Sequence, residues 1–108
     1  MKSGDIVLVR YPFTDFSDEK LRPALVLLSE DDEGDYLLAF ITSIPLQRSN
    51  FDYPILAEKE TGLKKDSLVR LKKIMTIHKS LILGRIGTIP PHDWKSIKLR
   101  LKIMLNLE

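Results

Sequence analysis

Apolar positions along the chain fall in short blocks separated by turn formers. Most blocks are too short and too rich in β-branched residues to be helices. Asp5–Tyr11 (DIVLVRY) is the first predicted strand, and Pro12 ends it because proline has no N–H for a ladder. The segment PFTDFSDEKL from Pro12 to Leu21 mixes charges and turn formers around Phe13 and Phe16, the pattern of a surface loop pinned by aromatic side chains. Arg22–Leu28 is nearly continuous in apolar residues, as expected of a strand buried on both faces, and the acidic run Glu30–Asp35 turns it into a hairpin. Tyr36–Ser43 (YLLAFITS) returns as a third strand before Pro45 interrupts the sheet.

A short strand at Tyr53–Ala57 leads through a turn at Gly62 to Ser67–Leu71, and Ile74–Ile77 extends or succeeds that strand. Leu81–Ile89 is the last strand. Its internal Gly84 and Gly87 point to bends of the kind that close a small barrel. About six short strands with turn signals between them favour a sandwich or barrel. Beyond Pro90 the period changes to that of a helix from about Pro91 to Asn106, with Pro91 at a favourable first position and Asp93 complementing the helix dipole. Trp94, Ile97, Leu101, Met104 and Leu105 share one face, which packs on the sheet, while Leu99, Ile103 and Leu107 form a second stripe. That stripe calls for a partner subunit, a loop of the same chain, or partial exposure.

At 108 residues the chain has the size of one domain, and no repeat, low-complexity segment or linker divides it. Its 44% apolar and 30% charged residues are ordinary for a folded protein. Cysteine is absent, which excludes disulfides, thiolate metal sites and cysteine nucleophiles. No run approaches the roughly 18 apolar residues of a membrane span, and the first residues lack a signal-peptide layout, so a cytoplasmic protein is expected. The net charge of +2 hides an asymmetry: residues 1–50 sum to −4 and residues 51–108 to +6. A basic half suits phosphate binding, although a solvated lysine surface gives the same count.

Gly4-Asp5-Ile6-Val7-Leu8-Val9, then Tyr11-Pro12-Phe13-Thr14-Asp15, then Arg22-Pro23-Ala24-Leu25-Val26-Leu27 closely resembles the start of MazF/PemK-family toxins. Ile41-Thr42-Ser43 is similar to the family's second motif, and Gly62-Leu63 with Asp66-Ser67-Leu68-Val69-Arg70 to its third. Ile74–Ile77 followed by Gly87 is similar to the closing strands, so the likeness spans nearly the whole chain. The resemblance implies an SH3-like barrel with a C-terminal helix, usually a homodimer, and the toxin of a type II toxin–antitoxin pair that cleaves single-stranded mRNA without a metal or other cofactor. It also implies a cognate antitoxin as partner. A protein-binding toxin of the related CcdB type, acting on gyrase, and an inactive dimeric interaction module are the alternatives.

The resemblance maps the family's catalytic arginine onto Arg22 and its catalytic hydroxyl onto Thr42. A planar, permanently charged guanidinium can stabilise phosphate oxygens by paired hydrogen bonds. A threonine hydroxyl can donate to the phosphate or orient the attacking 2′-hydroxyl. Arg22, just before Pro23, is expected at a loop-to-strand junction. Glu19 and Lys20 are RNA-binding candidates beside it; the general base is left unassigned, with Glu19 a better carboxylate than Asp18. Ser43 is a further candidate, though strand alternation aims it away from Thr42 unless the strand ends there. Phe16 and Tyr53 are candidate base-stacking residues, against the commoner role of aromatics as core anchors. His78 and His92 are read as surface residues or minor caps, with no carboxylate spacing that marks a metal ligand.

Overall fold

The computed structural model describes residues 1–11, 20–29, 31–43 and 49–108, with nothing stated of the Tyr11 side chain. Six strands form one antiparallel sheet: β1 (Asp5–Tyr11), β2 (Lys20–Leu28), β3 (Asp35–Thr42), β4 (Asp52–Ile55), β5 (Ser67–His78) and β6 (Ile82–Thr88), in the spatial order β4-β5-β3-β2-β1-β6. Helix α1 (Pro91–Met104) follows. The fold is mostly β with a C-terminal helix, as the sequence predicts.

The order forces the sheet to curl. β5 and β6 are joined only by the 3-10 turn Lys79–Leu81, yet β3, β2 and β1 lie between them. In a flat sheet four strand spacings would separate them by about 19 Å. Three residues reach about 10 Å even when extended. The curl places Val7, Val9, Ala24, Val26, Leu38 and Ile77 in one cluster, with Leu81 and Ile82 packed against it. Ile6, Leu25, Ala39, Ile41, Val69 and Leu71 form another, which takes Ile97 of α1. Ala24, Leu25 and Val26 are consecutive and fully buried, so β2 is covered on both faces as its apolar run predicts.

Several boundaries depart from the sequence reading. Ser67–Leu71 and Ile74–Ile77 belong to one strand, bent where its pairing with β3 jumps from Ala39–Ile74 to Ile41–Val69. Lys72 and Lys73 occupy that bend, exposed. The strand β2 starts at Lys20 because Lys20 and Leu21 pair with Tyr11 and Arg10, so Arg22 lies inside the strand. The β2–β3 turn is held by Asp31, whose Oδ1 accepts N–H bonds from Asp35 at 2.9 Å and Glu33 at 2.8 Å. These bonds, that from Asp35 foremost, hold its carboxyl below the ordinary range, so their support of the turn is lost on acidification.

Helix α1 buries Ile97 completely, a contribution of about 1.5–3 kcal/mol for a side chain of that size. Trp94, Leu101 and Met104 pack beside it. Leu105, predicted to share this face, is 55% exposed instead. The helix ends at Met104, two residues short of the predicted Asn106, because Asn106 takes φ 56, Asn106 N–H bonds to Ile103 O, and Leu107 N–H bonds to Lys102 O. This is a Schellman cap with asparagine in the left-handed position. Leu99, Ile103 and Leu107 stay exposed.

The two ends of the sheet are brought together through glycines. Gly62 adopts φ 71, and a Cβ there would overlap the Ile86 carbonyl; a Cβ on Gly87 would overlap the Thr61 carbonyl. Thr88 N–H then donates to Glu60 O at 2.9 Å, so the loop after β4 pairs with β6. Ile86 is the extra residue of a β-bulge, falling between the pairs Ile6–Gly87 and Val7–Arg85. Gly87→Ala should therefore destabilise the protein by about 2–4 kcal/mol through overpacking of backbone on backbone. Equilibrium unfolding in urea measures it, and an unchanged midpoint would show that the loop can move aside at little cost.

Candidate active site

β2 and β3 part at one end of the sheet. Their pairing begins at Ala24–Phe40, one residue after Pro23, which has no N–H to extend the ladder. Continuing that register two residues brings Arg22 level with Thr42. Both line a cleft of about 500 Å³ between the strand ends and the segment from Gly62 to Lys65. Its apolar lining comes from Leu8, Ile41, Leu63 and Ile86, and its polar groups are Arg22, Thr42, Ser43, Lys64, Lys65 and Ser67. Among the described residues lining it there are three cations and no carboxylate.

Each candidate side chain is set by its strand. Arg22 pairs with Val9 of β1 and is half-buried, so its guanidinium emerges from an ordered stretch of backbone. Thr42, also half-buried, is the last residue of β3 and pairs with Leu68 of β5. Because β3 ends there, Ser43 escapes the alternation that would turn it away, and it joins the same cleft. Such a surface, apolar below and cationic with hydroxyls above, can receive an unpaired nucleotide: the base meets the apolar part and the phosphate meets the charges.

The other candidates lie elsewhere. Lys20 is exposed at the first position of β2 and is not among the residues lining the cleft. Phe16 and Glu19, with Asp18, lie outside the described residues. Tyr53 is not in the cleft lining but against α1: its hydroxyl donates to Asp93 Oδ1 at 2.6 Å, and the Arg100 guanidinium sits 5.1 Å from its ring centre. Arg100 also donates to the carbonyls of Asn50 and Asp52, both at 3.2 Å. These contacts give Tyr53 the work of fastening α1 to β4. His78 accepts the Ser80 N–H at 3.1 Å and caps the 3-10 turn, while His92 Nε2 lies 3.4 Å from Asp93. No group of three or more His, Asp or Glu among the described residues could hold a metal ion.

Sequence reasoning missed Lys64 and Lys65. The +6 charge of the second half was their signal, but it did not say which lysines share a cleft.

The family model of the PemK-like, MazF-like toxin of type II toxin–antitoxin systems matches residues 2–105. Solved structures with similar folds include the Mycobacterium tuberculosis toxin MazF-mt6, with TM-score 0.77 and 20% identity over 96% of this chain and 98% of that one. A MazE–MazF complex from Deinococcus radiodurans gives TM-score 0.78 and 18% identity over 100% and 98% of the two chains. An endoribonuclease in complex with its cognate antitoxin, from a mycobacterial species, gives TM-score 0.76 and 14% identity over 100% and 97%. No curated protein sequence matches the chain. Among the described residues no helix is long and apolar enough to cross a membrane.

Burial, and then the bond to Asp93, push the Tyr53 phenol above its ordinary value. A group whose folded pKa is raised contributes stability that is complete below the unfolded value, about 10 for tyrosine, and lost as pH rises through the folded one. Stability of the wild type should thus fall more steeply above pH about 10 than that of Tyr53→Phe, while neutral-pH unfolding shows the variant weaker by about 1 kcal/mol for the lost bond. Parallel alkaline profiles of the two proteins would refute the tether.

Proposed function

The chain belongs to the PemK-like, MazF-like toxin family of type II toxin–antitoxin systems, and from that premise we propose that it is a metal-independent endoribonuclease that cuts single-stranded mRNA in the cytoplasm. The observation that carries the reading is the convergence of Arg22 and Thr42 in one cationic cleft, level with each other across the opening between β2 and β3.

In this reaction the ribose 2′-oxygen attacks the adjacent phosphorus and the bond from phosphorus to the 5′-oxygen breaks. The products are a 2′,3′-cyclic phosphate and a 5′-hydroxyl end, with one proton leaving the 2′-oxygen and one arriving at the 5′-oxygen. Negative charge grows on the non-bridging oxygens in between. Arg22 meets it with a planar pair of N–H donors, and the half-buried position of the residue beside the apolar lining strengthens the attraction relative to bulk water. The Thr42 hydroxyl donates to the same phosphate or aligns the 2′-hydroxyl. Among the described residues no hydrogen bond or ion pair engages the Arg22 guanidinium, so its donors are available to a phosphate. Phe16, Glu19, Lys20 and Ser43 stay the proposed RNA contacts, with Glu19 the candidate carboxylate for proton transfer. Tyr53 is engaged by Asp93 and Arg100 and is left out of this set.

The partners follow from the same reading. An antitoxin would cover the cationic cleft, and a second copy of the chain would cover the exposed Leu99, Ile103 and Leu107 stripe of α1. Sedimentation should therefore give twice 12.4 kDa, and Ile103→Asp should yield a folded monomer. A wild-type monomer at micromolar concentration would rule the dimer out.

Arg22→Ala and Thr42→Val should each abolish most cleavage of an mRNA while melting stays at the wild-type temperature. For Arg22 the loss should be on the order of 3–4 kcal/mol, about a hundred- to thousandfold in rate. Arg22→Lys should recover only part, because an ammonium lacks the paired planar donors. EDTA should leave the wild-type rate unchanged. Wild-type cleavage in both single variants would remove the assignment; a folded dimer that cuts no RNA would instead favour a protein-binding toxin or an inactive interaction module.

A further inference from the structure

The three arginines of the basic half, and one of its lysines, are already engaged. Arg70 faces Asp52 at 3.5 Å, Arg85 faces Asp5 at 3.8 Å, Arg100 lies on Tyr53, and Lys98 lies 5.5 Å from the Trp94 ring centre. Lys64 and Lys65 differ. Both are exposed, both line the cleft, and among the described residues neither ammonium has an ion-pair partner. The adjacent Asp66 turns its Oδ1 to the Ala57 N–H at 2.7 Å and makes no ion pair with either lysine among the described residues.

The backbone that carries the two lysines is fixed at both sides. On one side the buried Thr61 hydroxyl lies 3.0 Å from Leu56 O and accepts the Glu58 N–H at 3.1 Å, and Gly62 N–H donates to Glu58 O at 3.0 Å. On the other, Ser67 Oγ donates to Lys65 O at 2.8 Å. The glycine contact against Ile86 and Gly87 sets this segment against the sheet. A loop that merely spans from β4 to β5 needs no such fastening. Fixing it in advance means that a ligand orders only the two side chains, not the loop as well.

We propose that Lys64 and Lys65 are positioning residues for the RNA: a preset pair of cations that hold backbone phosphates flanking the one at Arg22. This rests on the reading of the cleft as an RNA site. Lysine suits this task because a compact ammonium meets phosphate as a point charge and reads no base edge. The pair thus adds affinity that is independent of sequence, and it leaves the chemical step to Arg22 and Thr42.

The test uses the 108-residue chain in the oligomeric state in which it purifies. Binding of a mixed-sequence single-stranded DNA, which lacks the 2′-hydroxyl and cannot be cut, is followed by fluorescence anisotropy across a salt series. Each phosphate contact on a single strand contributes about 0.7 to the salt slope. Lys64→Ala/Lys65→Ala should lower the slope by about 1.4, so that wild-type affinity falls about sevenfold more than that of the variant between 50 and 200 mM salt. Lys72→Ala/Lys73→Ala removes the same charge from the exposed bend of β5, off the cleft, and should leave the slope within a few tenths of the wild type. Lys64→Arg/Lys65→Arg should keep it. With mRNA as substrate, the alanine pair should raise KM several-fold at unchanged kcat. An alanine pair with the wild-type slope, or one matched by the β5 pair, overturns the proposal, as does a loss confined to kcat. Wild-type protein that neither binds the strand nor cuts RNA would overturn the RNA reading itself, a result distinguishable from the other two.

Discussion

Two backbones meet where neither can carry a side chain, and the cleft exists because they do. The loop after β4 lays Thr61 and Gly62 on Ile86 and Gly87 of β6, and a Cβ at either glycine would overlap a carbonyl group. That contact covers part of an edge strand that would otherwise offer unpaired N–H and C=O groups to other chains. It also holds Leu63, Lys64 and Lys65 across from the ends of β2 and β3. Without it the cationic side of the cleft would have no fixed position relative to Arg22.

The candidate site lies where regular structure stops. The β2–β3 ladder ends beside Pro23, β3 ends at Thr42, and β6 bulges at Ile86. Each interruption frees a side chain or opens space that an unbroken sheet would have filled with its neighbours. The buried interior on both faces of β2 keeps these interruptions local, since Ala24, Leu25 and Val26 begin immediately after Pro23 and are fully buried.

Much of this was legible in the amino-acid sequence. Six strands and a helix follow from β-branched blocks, prolines and the late change of period, and Arg22 and Thr42 stood out through ordered motifs. The rest depended on contacts between distant residues. Lys72 and Lys73 look like a break between two strands, yet backbone pairing carries β5 through them. Leu105 follows the helical period, but period alone does not register that Asn106 can turn left-handed and end the helix. Tyr53 resembles a base-stacking aromatic until Asp93, 40 residues away, accepts its hydroxyl. Lys64 and Lys65 read as ordinary solvated lysines because the glycine contact that places them joins segments more than 20 residues apart.

The pairing of β1 with β6 has a consequence in time. Asp5 pairs with Thr88 and Val9 with Ile82, so β1 cannot complete its pairing until β6 has been made. Contacts of such long sequence separation form late, after the loop between them has been closed at an entropic cost. Leu8 and Ile86, which both line the cleft, therefore come together only after β6 has been made. A nascent chain that still lacks β6 has no finished cleft.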